Sequence, residues 1–229
     1  MQFPKACLFD LDGVLLDTEP LHGQAWAKTA ETFGGNLSKE QLLHLRGRRR
    51  KDCAEQLMDW VKEPVKIEDF LSVHQPISSR LLKKSKAMPG AEALVRWCFE
   101  NKMPMALVSS SSSRSVKLKS APHIWLRLIQ TRVLGDDPSL KEGKPSPDPF
   151  LLAAQKLGLE ATSCWALEDS ASGTQAALRA GCQVWMLANN EQLNSDWNHG
   201  GSTSNPRKIT HLQEVKSALE ISLSKEPNQ

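Results

Sequence analysis

No apolar run in this chain lasts more than a few residues, whereas a membrane-crossing helix needs about 20. The opening segment MQFPKACLFD has neither the long apolar stretch nor the cleavage site of a secretory signal. The expectation is therefore a soluble, cytoplasmic protein with no membrane partner. Cysteine is sparse: five residues, at positions 7, 53, 98, 164 and 182, with no CxxC pair. Neither a disulfide framework nor a zinc site follows from an odd, scattered set, and these thiols read as small buried hydrophobes. Excess charge is lacking too. A formal net charge of +3 is too small to argue for nucleic acid, and the basic residues are dispersed apart from the run Arg46 to Lys51.

What is present suits a globular enzyme. A chain of 229 residues can bury a real core, as one large domain or as a medium domain carrying an insertion. An apolar run at Ala6 to Phe9 reads as a first strand, and Pro104 to Val108, Thr131 to Leu134, Cys164 to Leu167 and Gln183 to Leu187 as four more. Most adjoin a helix-length periodic stretch, which predicts an α/β protein with a parallel sheet and helices on both faces. Between Pro20 and about Ala87 the pattern changes to helices without strands, at Leu21 to Phe33, Lys51 to Val61 and Ile67 to Lys83. Asp17-Thr18-Glu19-Pro20 leaves the core, and Met88-Pro89-Gly90 re-enters it before a helix at Ala91 to Glu100. This divides the chain into a core of residues 1–18 and 88–229 and a helical insertion of residues 19–87. The Asn-, Ser- and Gly-rich stretch from Ala188 to Lys208 reads as a surface loop, and His211 to Leu223 as a terminal helix. No internal repeat is visible.

Four segments carry chemistry. In FDLDGVLLDT, Asp10 and Asp12 follow the first strand directly, and ligands of doubly wound sheets bind beyond the carboxyl ends of strands. Asp10 is a candidate carboxylate nucleophile and Asp12 a candidate proton carrier, although such a turn taken alone is more often a loop. The run Ser109 to Ser113 follows the second strand, where a hydroxyl and successive N–H groups make an anion pocket. Ser109 is thus a candidate phosphate ligand, with Ser110 and Ser111 adding backbone donors. Lys144, between Gly143 and Pro145, is a fixed cation able to offset the repulsion between Asp10 and an incoming phosphate. Asp136 and Asp137 read as loop-ordering residues. In CWALEDSASG, Asp169 or Ser170 is a helix cap by the plain reading. Joined to Asp10 and the carbonyl of Asp12, Asp169 also completes an oxygen set of the kind Mg²⁺ prefers, with Glu168 behind it, holding metal-bound waters.

Together these segments resemble the haloacid dehalogenase-like superfamily, in its phosphatase and mutase branch with a helical cap after the first motif. All four motifs of that family occur in the expected order, and the match covers most of the chain. The resemblance implies a Rossmann-like parallel sheet of order 5-4-1-2-3 with a small α-helical cap. It further implies Asp10 as nucleophile, Asp12 as general acid/base, Ser109 and Lys144 as phosphate ligands, and Asp169 as a Mg²⁺ ligand. A dehalogenase is disfavoured, because those relatives have no need of the second aspartate, retained here as Asp12.

Within the branch, DTEPLH at Asp17 to His22 and LGDDPSLKEGKPSPD are similar to the pseudouridine-5'-phosphatase and plant glycerol-phosphatase group. LRGRRRKD at Leu45 to Asp52 and ALEDSASG also resemble the β-phosphoglucomutases, in which a cap arginine grips a second phosphate. Arg50 best matches that arginine, and His22 a histidine at the cap entrance. Glu19-Pro20-Leu21 is more phosphatase-like. The expected activity is Mg²⁺-dependent hydrolysis of a small phosphorylated metabolite through an aspartyl-phosphate, by a monomer or weak dimer. A sugar-phosphate mutase and a non-catalytic phosphometabolite-binding protein are the alternatives.

Overall fold

Strand β1 (Ala6–Phe9) is buried along its whole length, as a strand covered on both faces of a parallel sheet must be. It pairs in parallel with β4 (Met105–Val108) on one side and β6 (Cys164–Glu168) on the other. The structure, a computed structural model, describes residues 3–45, 48, 50–62, 64–188 and 205–224. Outward from β4 lies β5 (Thr131–Val133), and outward from β6 lie β7 (Gln183–Leu187) and β8 (Arg207–Ile209). The sheet order is β5-β4-β1-β6-β7-β8, with every neighbouring pair parallel.

The fold is the expected α/β sheet, and its first five strands stand in the order 5-4-1-2-3 when read from β7 to β5. One correction applies at the edge. The loop expected over 188–208 ends in a sixth strand, with Trp185 of β7 opposite Arg207. An edge strand spelled Arg-Lys-Ile has charge where an inner strand has apolar residues, so its sequence reads as loop. Residues 189–204 of that segment, and Arg46, Gly47 and Arg49 of the basic run, lie outside the described residues.

Alternation along β1 divides the core in two. Cys7 and Phe9 join a cluster with Leu107, Trp165 and Trp185, covered by α5 (Ala91–Glu100) and α9 (Leu212–Leu223). Ala6 and Leu8 join Ala106, Val108 and Ala166 on the opposite face, under α7 (Asp148–Lys156) and α8 (Ala171–Arg179). Each large side chain buried this way contributes about 1.5–3 kcal/mol.

Between the first two sheet strands the chain makes α1 (Glu19–Thr32), α2 (Lys39–His44), α3 (Arg50–Met58) and α4 (Ile67–Leu82). These helices enclose their own apolar cluster, built on Trp26, Leu57 and Phe70. A short antiparallel ribbon connects them to the sheet: β2 (Leu16–Asp17) pairs with β3 (Lys86–Ala87), Leu16 opposite Ala87. Two helices were not legible in the sequence. Helix α2 is short and polar, opened by Ser38 and Gln41 in a reciprocal capping box, and α6 (Ser113–Ser120) grows out of the serine run.

Candidate active site

Parallel pairing in register brings the carboxyl ends of β1, β4 and β6 side by side. Phe9 lies opposite both Leu107 and Leu167, so the residues just beyond, Asp10, Ser109 and Glu168-Asp169, converge on one edge of the sheet. Above them lies a cavity of about 820 Å³, walled by Asp10, Asp12 and Ser111 below and by His22, Arg50 and His74 of the helical insertion above.

Asp10 is buried, and Lys144 Nζ donates to its Oδ1 at 2.5 Å. The same ammonium donates to Glu168 Oε1 at 2.5 Å and to the Val108 carbonyl at 2.9 Å. All three lysine protons are thereby placed, and Lys144 is as fixed as its sequence setting predicts. Burial pushes the Asp10 carboxyl up to about 8, against the pull of Lys144 and with the push of Glu168 and Asp12. Burial also acts against the Lys144 charge, but Asp10 and Glu168 outweigh it and hold its pKa above the ordinary lysine value.

Asp12 has a different environment. Gly13, at φ +85°, turns the chain behind it, and its N–H closes the turn on the Leu16 carbonyl at 2.8 Å. A Cβ on Gly13 would stand 2.1 Å from Asp169 Oδ2, so the carboxylate of Asp169 occupies the space a side chain would need. The Asp12 carboxylate accepts from Thr18 Oγ1, from Ser111 Oγ at 3.0 Å, and from Lys119 Nζ, 2.5 Å from Oδ1. His22 Nε2 stands 3.4 Å from the same Oδ1. Burial works to raise Asp12, but Lys119 and His22 prevail and hold it well below the usual carboxylate range.

The remaining expected residues fall nearby. Ser109 is buried, and its Oγ accepts from Ser111 N–H at 3.1 Å; that backbone donor therefore points at Ser109. Ser110 and Ser111 line the cavity. Glu168 has both oxygens engaged, Oε1 by Lys144 and Oε2 by the N–H groups of Asp169 and Ser170 and by Ser170 Oγ. Ser170 caps α8, accepting from Gly173 N at 3.1 Å. Gly173 leaves room for Glu168, since a Cβ there would lie 1.8 Å from Oε1. His22 and Arg50 line the cavity, with Arg50 Nη1 held by Gln75 Oε1. Asp136 accepts from the N–H and hydroxyl of Ser113, both at 2.8 Å, at the start of α6, and Asp137 takes Lys156 at 2.5 Å, so both order loops as expected.

The family profile for haloacid dehalogenase-like hydrolase matches residues 7–187. The chain belongs to the haloacid dehalogenase-like hydrolases. It is 35% identical over 185 residues to the probable pseudouridine-5'-phosphatase of Drosophila melanogaster, covering 79% of this chain and 80% of that one. With (DL)-glycerol-3-phosphatase 2 of Arabidopsis thaliana it shares 30% over 186 residues, 79% and 78% of the two chains. A haloacid dehalogenase family hydrolase of Deinococcus radiodurans, solved with bound phosphate and sodium, superposes with a TM-score of 0.72 at 27% identity over 100% of both chains. The chain is a phosphoric monoester hydrolase of this family.

Asp10, Glu168 and Asp169 bring ligand oxygens within 4.8 Å of one another, buried, in an arrangement able to hold a metal ion. An all-oxygen set of this kind suits a hard divalent cation, and the bare Gly13 keeps the place of Asp169 open. Among the described residues no helix is long and apolar enough to cross a membrane.

Lys119 is a site residue that sequence reasoning missed, as are Thr18, which donates to Asp12, and His74 on the cavity wall. Lys119 is 0% exposed, yet it stands in the polar string SRSVKLKS, which looks like a solvated helix face. Helical spacing carried a signal: Ser112, Ser115, Val116 and Lys119 fall at i, i+3, i+4 and i+7, one stripe of a helix, and Ser115, Val116 and Lys119 are the buried residues of α6.

Proposed function

We propose that this hydrolase is a Mg²⁺-dependent phosphatase of a small phosphomonoester, a sugar phosphate or similar metabolite, acting through an aspartyl-phosphate on Asp10. One observation carries the reading: two carboxylates two residues apart stand on the floor of one cavity, Asp10 paired with the buried Lys144 and clustered with Glu168 and Asp169, Asp12 paired with the buried Lys119. Asp10, beside Lys144 and the metal-holding cluster, is placed to attack phosphorus, and Asp12, two residues on and outside that cluster, to carry the proton.

Asp10 attacks phosphorus while the bond from phosphorus to the leaving oxygen breaks, and Asp12 gives that oxygen a proton. A phosphate dianion arriving beside Asp12 raises its pKa by like-charge repulsion and so favours the protonated form that the leaving oxygen needs. Water then attacks phosphorus, the bond to Asp10 breaks, and Asp12, again held as a carboxylate by Lys119, Thr18 and Ser111, takes the water proton. Lys144 keeps positive charge beside Asp10 throughout. Asp10 and Asp169, with the backbone carbonyl of Asp12, would hold the Mg²⁺, with Glu168 fixing Lys144 and the turn at Asp169. When bound, the ion supplies charge that keeps Asp10 ionised and neutralises phosphoryl oxygens.

Residues 1–18 and 88–229 form the catalytic core, and residues 19–87 form a cap that closes over the cavity and selects the leaving group. Relatives named as a probable pseudouridine-5'-phosphatase and a (DL)-glycerol-3-phosphatase support a small polyhydroxylated leaving group.

The test is an acid quench during turnover of a phosphate-labelled ester. The expected result is hydroxylamine-labile label on the peptide carrying Asp10 and none in Asp10→Asn. Continued phosphate release with no label on the wild-type protein would overturn the covalent route, and isomerised sugar phosphate in place of free phosphate would identify a mutase.

A further inference from the structure

The two linkers that carry the helical insertion both lead to Asp12. The first does so directly, since Thr18, the residue before α1, donates to its carboxylate. The second does so through a series of bonds that starts at Ser85, one residue before β3. Ser85 is buried, and its Oγ donates to the Lys119 carbonyl at 3.2 Å. The Ser85 carbonyl in turn lies 3.1 Å from His123 Nε2. A carbonyl can only accept, so the ring proton of His123 sits on Nε2 and is given to Ser85. The ring stands edge-on to the buried Trp125, centroids 6.0 Å apart at 67°.

The place of Lys119 in its helix gives these bonds their weight. Helix α6 ends at Ser120, so the Lys119 carbonyl belongs to the last turn, whose carbonyls have no partner within the helix. Ser85 supplies one from a distant part of the chain. At the other end of the same residue, Nζ lies 2.5 Å from Asp12 Oδ1 and 2.8 Å from Ser111 Oγ. Lys119 is thus held at its backbone by Ser85 and at its tip by the acid that serves as proton carrier in the mechanism above.

We propose that Ser85 and His123 are positioning residues for the proton transfer. His123 fixes Ser85, Ser85 fixes the last turn of α6, and that turn sets where Lys119 holds Asp12. Neither residue lines the cavity, so both act through Lys119. The geometry they guard is a narrow one, because a misplacement of about 1 Å at a reacting centre costs about 100-fold in rate. The inference rests on the phosphatase reading above, with Asp12 as the proton carrier.

The experiment compares two kinds of ester by their kcat/KM with Mg²⁺ present, which covers the step in which the leaving group departs. The leaving oxygen of an alkyl ester, glycerol 3-phosphate or fructose 1-phosphate, whichever the wild type turns over faster, needs the Asp12 proton. p-Nitrophenyl phosphate releases a stabilised phenolate that does not. The ratio of the two values on one sample is independent of the fraction folded. Ser85→Ala and His123→Phe are expected to lower the ratio of alkyl to aryl ester by about ten-fold, and Lys119→Met to lower it at least as far. Ser85→Thr keeps a hydroxyl and His123→Gln an N–H donor, so each should recover part of the ratio. A purely structural role would slow both esters alike. Wild-type ratios in Ser85→Ala and His123→Phe, beside a lowered ratio in Lys119→Met, would overturn the inference and leave the phosphatase reading intact. A wild-type ratio in Lys119→Met would overturn the inference at the lysine itself. Absence of release from every ester would overturn the phosphatase reading as well.

Discussion

Lys119 Nζ lies 2.5 Å from Oδ1 of Asp12 and 2.8 Å from Ser111 Oγ, at the end of a side chain with no exposure to solvent. A lysine is buried this completely only when its charge is paired, so the pairing and the fold depend on each other. Lys119→Met leaves Asp12 in place without its cation, and breaking one side of a buried pair costs about 3–5 kcal/mol. Denaturant unfolding should show that loss. The double variant Asp12→Asn/Lys119→Met should lose clearly less than the two single losses together. Strict additivity would mean that the two side chains do not interact energetically.

His74 makes a prediction in pH. Its ring is held neutral down to about 3, while in the unfolded chain it titrates near about 6.5. A folded-state pKa below the unfolded value means that the unfolded chain takes up the proton first. The stability is therefore complete above about pH 6.5 and is lost as pH falls from there towards about 3. The difference in melting temperature between wild type and His74→Gln should move against the wild type between pH 7 and pH 4.5. A difference independent of pH would place a charged ring in the cap.

Gly13→Ala tests how closely the turn and the metal cluster fit. The substitution forces a side chain onto a backbone at φ +85° and within 2.1 Å of Asp169 Oδ2. Strain of this kind costs about 1–3 kcal/mol, and a misplacement of about 1 Å at a reacting centre costs about 100-fold in rate. Both should appear, in thermal unfolding and in phosphate release. Unimpaired activity would separate Asp169 from the chemistry.

What the sequence disclosed follows from how each feature is encoded. Strands β1, β4, β6 and β7 are buried on both faces, so their apolar runs stand out against the rest of the chain. Asp10, Asp12 and Asp169 adjoin such strands and are marked by Gly13 and by the small residues after Ser170. Lys144 was legible because Gly143 and Pro145 flank it. Lys119 was not, since its burial depends on α6 turning one stripe of a polar helix inward. Strand β8 hid behind edge-strand charge. The partners of His74, Trp26 and Thr29, are far from it in sequence, and only the packing of α1 on α4 brings them together.

The most direct test of the account is phosphate release from a panel of small phosphate esters, with and without Mg²⁺, by the wild type and by Asp10→Asn. The account predicts metal-dependent release by the wild type and none by a folded Asp10→Asn. Release by Asp10→Asn at near wild-type rate would contradict it.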